Sequence, residues 1–322
     1  MSVGAPGKLQ VVSAQMPCGA AWLANALIEL GLSISNLWGF DTAAEWQLGA
    51  DGSRRYVAEH GPWRQTLAAL QPGRRLPPAV GPDVVFSHSF PWALPVAEQR
   101  ILIVRDPRDA LHSEWQRQRR NAGCELGFEQ FLRSDFFDTG LAQIDYLWWH
   151  LQAWTSIWQS AASPCLLIRF EDFKRQPTQA LRRIASWLQL IASEADIANA
   201  CECSDVRHLQ SLESKIAEQS SHSRQFNRRG QAYEWRQAWP ENWHANLGPH
   251  WDGLLRALRY ADRQSVQGTP SLLPPAPDAR ALARWQGIET STVEASCRAR
   301  CQLAMRELHS MSSASATSAT HS

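Results

Sequence analysis

The stretch ILIVRDPRDALHS, residues 101–113, predicts a buried strand that runs directly into a helix. Its first four residues are apolar and mostly β-branched, as in a parallel strand that is covered on both faces. Asp106 is a good N-cap and Pro107 suits the first helical position, so the helix should begin within a residue of Pro107. Arg105 is then held at the carboxyl end of the strand, where open α/β sheets bind their ligands.

Arg105 and Ser113 form a candidate phosphate site. Ser113 lies seven residues after the predicted cap, which is two helical turns along the same face. A guanidinium at the strand end and a hydroxyl on the following helix can converge on one phosphate. The alternative is structural, namely a capped helix whose arginines pair with the neighbouring aspartates. The stretch alone leaves both interpretations open.

The composition is typical of a soluble globular protein. The 322 residues are 44% hydrophobic and 20% charged, and the net charge of +1 argues against a general binder of nucleic acid. Lysine occurs three times, so arginine carries almost all the positive charge, and arginine suits bidentate phosphate recognition. The seven cysteines show no metal-ligand spacing and predict reduced thiols in the cytoplasm. We find no long apolar run and no secretory signal, and therefore expect no membrane partner.

Two motifs resemble the 3′-phosphate site of sulfotransferases that use 3′-phosphoadenosine 5′-phosphosulfate (PAPS), of the cytosolic, bacterial-like type. Residues 105–109, RDPRD, followed by Ser113 resemble the first motif, which implies that Arg105 and Ser113 hold the 3′-phosphate. Residues 227–236, NRRGQAYEWR, resemble the second nucleotide segment. The resemblance implies that this segment surrounds the same phosphate through Arg228, Arg229 and Gly230. Two arginines beside a flexible glycine suit that role, and a solvated basic loop is the alternative.

Residues 15–22, QMPCGAAW, lie between a predicted strand at 9–14 and an apolar helix. A strand, a short glycine-containing loop and a helix are typical of phosphate-binding turns. The loop resembles a degenerate form of the family's 5′-phosphosulfate loop, Pro-Lys-Ser-Gly-Thr-Thr-Trp. It implies that Trp22 packs against the adenine and that the phosphosulfate meets the backbone N–H groups of Cys18, Gly19, Ala20 and Ala21.

Pro17 occupies the position of the family's loop lysine. In sulfuryl transfer, negative charge builds on the bridging oxygen of the departing nucleotide, and a positioned cation stabilises that transition state. Pro17 cannot supply a cation. Three alternatives stay open: an arginine or histidine from elsewhere substitutes, the helix N-terminus suffices, or the activity is weak or lost.

His88 is the candidate general base. It follows a predicted strand at 83–87, among the loops at the ligand-binding edge of the sheet. It matches the histidine of the family's Lys-Thr-His-Leu-Pro segment, which accepts the acceptor's proton; a solvated or structural histidine is the alternative. Further along, residues 169–173, RFEDF, follow a third apolar strand and resemble Arg-Tyr-Glu-Asp-Leu, which implies that Phe170 lies near the nucleotide.

The remaining patterns predict helices and an appendage. Helices are expected at about 62–71, at 127–137, 141–160 and 176–190, as one or two helices within 194–219, and again between 239 and 260. His150 is expected to be packed inside the helix at 141–160. Residues 1–262 would form the sulfotransferase domain, 263–278 a proline-rich linker, and 279–322 a C-terminal helix and a disordered tail. Trp38, Trp46 and Trp63 are candidate acceptor contacts, although packing is the alternative for each.

The sequence therefore predicts an α/β fold, a central parallel sheet flanked by helices, with the strand order implied by the resemblance. The implied reaction moves a sulfuryl group from PAPS to a hydroxyl or amine of a small-molecule or natural-product acceptor, releasing 3′,5′-ADP without a metal. A non-catalytic nucleotide-binding protein on the same fold is one rival, and self-association as a homo-oligomer is left open. An ATP-dependent phosphotransferase is disfavoured because the GxxxxGK[ST] pattern is absent.

Overall fold

The structure, a computed structural model, describes residues 9–32, 34–36, 46–48, 54–56, 84–91, 94, 97–160, 164–219, 230–239, 247, 250–260, 274, 278 and 281–282. The predicted helix at 62–71, Arg228, Arg229, Trp38 and Trp63 lie outside these residues. In the part of the chain that is described, no helix is long and apolar enough to cross a membrane.

A five-stranded parallel sheet forms the centre, as the sequence predicted. Seven strands are described: β1 (Leu9–Val12), β2 (Ile34–Asn36), β3 (Trp46–Leu48), β4 (Arg54–Tyr56), β5 (Val84–Ser87), β6 (Gln99–Val104) and β7 (Cys165–Arg169). The order across the sheet is β2-β5-β1-β6-β7, and β3 and β4 form a separate antiparallel pair. In register, Val11 of β1 lies opposite Ile101 of β6, and Val104 of β6 lies opposite Arg169 of β7.

Ten helices are described: α1 (Ala20–Glu29), α2 (Pro107–Ala122), α3 (Phe128–Arg133), α4 (Gln143–Gln159), α5 (Phe170–Arg175), α6 (Pro177–Trp187), α7 (Glu194–Cys203), α8 (Val206–Gln219), α9 (Trp235–Ala238) and α10 (His250–Ala257). Helices α1, α6 and α7 cover one face of the sheet, and α2, α3, α4 and α10 contribute to the core on the other.

The apolar runs in the strands serve both faces because successive side chains point in opposite directions. In β6, Ile101 and Ile103 face the α1 side, whereas Leu102 and Val104 face the α4 side. Residues 101–104 of this strand are all apolar because their alternate side chains enter two separate cores, one on each face of the sheet.

The boundary of α2 is as predicted, with Asp106 as its N-cap. The Asp106 carboxylate accepts a hydrogen bond of 3.0 Å from the backbone N–H of Arg108. The helix expected at 127–137 is too long, however, since α3 ends at Arg133. Asp135 accepts from the backbone N–H groups of Thr139 and Gly140 at 3.0 Å each, and this local turn competes with the helix.

Leu282, which lies beyond the predicted linker, belongs to the core on the α4 side of the sheet. Leu282 is 1% exposed and joins the same buried cluster as Trp251 of α10. Most of the predicted C-terminal helix lies outside the described residues, and the proposed division at 262 and 278 stays a prediction.

Candidate active site

The carboxyl ends of β1, β5, β6 and β7 meet at one edge of the sheet because the strands are parallel. The chain leaves β1 toward β2 on one side and leaves β6 toward β7 on the other, so the point between β1 and β6 is a topological switch point. Ligands of open α/β sheets bind at such points. Residues 13–19 follow β1 there, His88 follows β5, Arg105 follows β6 and Phe170 follows β7.

Gly19 ends the loop after β1 and caps α1. Its φ of 92° lies in the left-handed region, and a Cβ at this position would lie 2.6 Å from Cδ2 of Phe170. No side chain caps the first turn of α1. The N–H groups of the first turn and the helix dipole at this end favour an anion. The phosphosulfate contacts of Gly19, Ala20 and Ala21 stay a prediction.

Cys18 can take part through its backbone but not through its side chain. The residue is buried, and its Sγ lies 3.9 Å from the carbonyl oxygen of Ala14. Burial raises the pKa of the Cys18 thiol, which keeps it protonated and unreactive.

Arg105 connects the two segments that were predicted to hold the nucleotide. Its Nη1 donates to the carbonyl oxygen of Pro17 at 3.1 Å, and its Nη2 donates to that of Gln231 at 2.7 Å. The guanidinium lies 4.6 Å from the centre of the Phe170 ring, and the residue is 5% exposed. Its Nε is buried and has no hydrogen-bond partner within the described part of the chain.

Asp109 attaches the second segment to the start of α2. Its two carboxylate oxygens accept hydrogen bonds from the backbone N–H groups of Tyr233, at 2.5 Å, and Trp235, at 2.9 Å. One of them lies 4.0 Å from Nη2 of Arg105. Burial raises the pKa of Asp109, and the charge of Arg105 opposes that rise. The sequence pattern contains no signal for these long-range contacts of Asp109.

Arg108, in contrast, has a structural role: it pairs with a neighbouring aspartate at the start of the helix. Its Nε and Nη2 donate to the Asp106 carboxylate at 2.8 and 2.6 Å, and Nη2 also donates to the carbonyl oxygen of Tyr260 at 2.9 Å. Its guanidinium stacks 3.7 Å from the centre of the Trp235 ring. The two arginines of the RDPRD motif thus contact different partners: Arg105 contacts the loops at Pro17 and Gln231, and Arg108 contacts Asp106 and Tyr260.

Ser113 lies one helical turn after Asp109 on α2 and is 9% exposed. No hydrogen bond joins its hydroxyl to another described residue. This placement is compatible with the predicted phosphate contact.

His88 is partly exposed and is fixed by Ser13, which follows β1. Its Nδ1 lies 3.1 Å from the carbonyl oxygen of Ser13 and 3.1 Å from the Ser13 hydroxyl. Because a carbonyl can only accept, Nδ1 carries the proton and Nε2 is the basic nitrogen. Burial, with a smaller contribution from the charge of Arg117, lowers the pKa of His88 to about 4, so the imidazole is neutral at physiological pH.

His150 is packed, as predicted. It is fully buried, its ring centre is 5.3 Å from that of Phe90 and 5.8 Å from that of Tyr146, and burial lowers its pKa to about 3.

The space around Trp22 limits where the adenine of a nucleotide could contact its ring. Trp22 makes an edge-to-face contact with Phe173. The cavity between Trp22, Gly19 and Phe170 measures about 10 Å³, which holds no more than a water molecule. This cavity is too small to hold an adenine ring.

A cleft of about 710 Å³ opens beside Gly230, between the end of α5 and the start of α8. Lys174 and Arg207 line it together with the segment from Gly230 to Gln237. A volume of this size is typical of small-molecule sites. Among the described residues, no group of three or more histidine, cysteine or acidic side chains could hold a metal ion.

The family model of the sulfotransferase domain matches residues 75–247, more than half of the chain. The chain belongs to the sulfotransferase domain family. The crystal structure of mouse sulfotransferase SULT7A1 complexed with PAP, which is 3′,5′-ADP, aligns with this sulfotransferase at a TM-score of 0.51 and 17% identity, covering 80% of this chain and 86% of that one. This likeness shows the fold alone.

A structure of retinol dehydratase in complex with androsterone and the inactive cofactor PAP aligns at a TM-score of 0.48 and 17% identity, over 81% of this chain and 83% of that one. A search of curated proteins gives no match to this sulfotransferase.

Proposed function

We propose that this sulfotransferase moves a sulfuryl group from PAPS to a hydroxyl or amine of a small-molecule acceptor and releases 3′,5′-ADP. The observation that carries the proposal is the position of Arg105. Its buried guanidinium lies at the switch point of the sheet and contacts both the loop at Pro17 and the segment at Gln231.

The groups at this edge suit an anionic nucleotide because they are hydrogen-bond donors. Arg105 offers a buried Nε, Ser113 offers a hydroxyl, and the uncapped start of α1 offers backbone N–H groups. We propose that the 3′-phosphate is held by Arg105 and Ser113 together with Arg228, Arg229 and Gly230. The 5′-phosphosulfate would lie at residues 18–21, with the adenine near Trp22 and Phe170.

His88 would act as the base. The acceptor's oxygen attacks sulfur, the bond from sulfur to the bridging oxygen breaks, and its electron pair goes to the 5′-phosphate of 3′,5′-ADP. The acceptor's proton goes to Nε2 of His88, which is unprotonated because Nδ1 donates to Ser13.

The acceptor is proposed to be an apolar aromatic molecule, since the sequence holds 16 tryptophans; a glycan or peptide natural product is the alternative. The described cysteines, residues 18, 124, 165, 201 and 203, are free thiols. Together with the proposed nucleotide, these thiols support a cytoplasmic location for the enzyme.

The replacement of the loop lysine by Pro17 favours one second candidate, a protein that binds the nucleotide without catalysis. Incubating the protein with PAPS and phenol, and measuring 3′,5′-ADP and phenyl sulfate by chromatography, separates the two. The proposed function predicts both products in equal amounts. Binding of 3′,5′-ADP in a calorimeter without any product would favour the second candidate.

A further inference from the structure

Arg117 of α2 reaches the phosphosulfate loop. Its Nη2 makes a long hydrogen bond of 3.5 Å to the carbonyl oxygen of Gln15, two residues before Pro17. Arg105 donates to the carbonyl oxygen of Pro17 itself. Two guanidinium groups thus contact one short loop at neighbouring positions, and the loop supplies no cation of its own.

Glu114 orients Arg117 toward the loop. The Arg117 Nε lies 2.7 Å from one carboxylate oxygen of Glu114, and its Nη2 donates to the other at 2.9 Å. Gln118 donates to the same carboxylate at 3.0 Å, and Glu114 is 1% exposed. The guanidinium is held against Glu114 by the ion pair at Nε and by the hydrogen bond from Nη2. These contacts use Nε and Nη2, so Nη1 is left without a partner among the described residues.

The charge of Arg117 also acts on the candidate base. It contributes to the lowered pKa of His88, which places the two residues within electrostatic reach of each other. Gln15 is itself fixed, because its backbone N–H donates to the Tyr146 hydroxyl at 3.0 Å. Besides Glu114, the groups that face this region are His88 after β5 and Tyr146 on α4. Arg117 therefore contacts the loop through Gln15 and acts electrostatically on His88.

We propose that Arg117 supplies the positive charge that the loop lacks at Pro17. This inference rests on the proposed function and answers the question that the loop's sequence leaves open. As the bond between sulfur and the bridging oxygen breaks, the electron pair moves to that oxygen, and a hydrogen bond from Arg117 stabilises the growing charge. The acceptor's proton still goes to His88, and Arg117 stays protonated throughout.

The test compares turnover with nucleotide preference in the full chain, with PAPS and phenol as substrates. We expect Arg117→Ala to lower the rate of 3′,5′-ADP release by about 10²–10³-fold, the usual effect of losing one transition-state donor. The preference for 3′,5′-ADP over 5′-AMP should not change, since it is set at the 3′-phosphate. Arg119→Ala is the matched control, because Arg119 is exposed on the same helix and stacks on Trp115.

A rescue variant separates this role from a structural one. Pro17→Lys, introduced into Arg117→Ala, should restore most of the rate, because it returns a cation to the loop while keeping the carbonyl that Arg105 contacts. If Arg117→Ala turns over at the wild-type rate, or if Pro17→Lys rescues nothing, the inference is wrong. If the unmodified protein binds neither nucleotide and releases no product, the proposed function fails first and the inference fails with it.

Discussion

The Nη2 of Arg105 lies 2.7 Å from the carbonyl oxygen of Gln231, 126 residues further along the chain. The same guanidinium donates to Pro17, 88 residues earlier. One side chain at the end of β6 therefore sets the distance between the loop after β1 and the segment after Gly230. A 3′-phosphate held by Arg105 would be positioned relative to both.

Asp109→Asn should weaken nucleotide binding. The carboxylate accepts from two backbone N–H groups, at Tyr233 and Trp235, whereas an amide presents one oxygen and one NH₂ group. We expect the Kd for 3′,5′-ADP to rise about tenfold, equivalent to about 1.4 kcal/mol, and the KM for PAPS to rise with little change in kcat. Asp172→Asn, which alters a half-exposed carboxylate, is the control. Equal affinities in both variants would contradict the positioning role of Asp109.

Gly19→Ala should destabilise the protein more than Gly123→Ala. Both glycines have positive φ, at 92° and 64°, but a Cβ on Gly19 would lie 2.6 Å from Phe170 whereas one on Gly123 meets nothing within 4 Å. We expect a loss of about 1–2 kcal/mol for Gly123→Ala and a larger loss for Gly19→Ala, measured by denaturant unfolding. Adding Phe170→Leu to Gly19→Ala should recover part of the difference. Equal losses would show that the contact with Phe170 is unimportant.

The acid limb of kcat should lie near pH 4. His88 must be neutral to accept a proton, and its pKa is about 4. The rate of 3′,5′-ADP release should therefore stay level from about pH 8 down to about pH 5, unlike that of a base with the usual pKa of about 6.5. His88→Ala should lower the rate by about 10²–10⁴-fold. An acid limb centred near pH 6.5 would exclude His88, in this environment, as the base.

His150→Leu should make the protein less sensitive to acid. The folded-state pKa of His150 is about 3, below its unfolded value, so the unfolded state binds more protons as the pH falls below about 6.5. This group lowers the free energy of unfolding by about 1.4 kcal/mol per pH unit between about pH 6 and pH 4. Urea unfolding at several pH values should show a shallower slope for His150→Leu. Parallel curves for the two proteins would disprove the assignment.

Much of the fold could be predicted from local patterns. The run before Arg105 and the cap at Asp106 fix β6 and the start of α2 within two residues, because apolar burial and capping are local properties. The strand at 34–36 was missed, since three residues, two of them polar, give no periodic signal. The helix at 127–137 was overextended because Asp135 forms its turn with residues that follow it.

The sequence and the resemblance could indicate candidate site residues that follow the strands, but they could not indicate contacts between distant segments. Arg105 and His88 could be placed at the ligand-binding edge of the sheet because each directly follows an apolar strand. The contacts of Asp109 with Tyr233 and of Arg117 with Gln15 could not be predicted, because they join distant segments. The pattern RDPRD also could not show that Arg108 is structural, since both arginines occupy similar local positions.

The most direct test of the nucleotide site is calorimetric binding of 3′,5′-ADP and of 5′-AMP to the unmodified protein and to Arg105→Ala. We predict that the unmodified protein prefers 3′,5′-ADP and that Arg105→Ala abolishes this preference while 5′-AMP binds as before. Equal binding of the two nucleotides to the unmodified protein, or no binding of either, would contradict the assignment of Arg105 to a 3′-phosphate and with it the proposed use of PAPS.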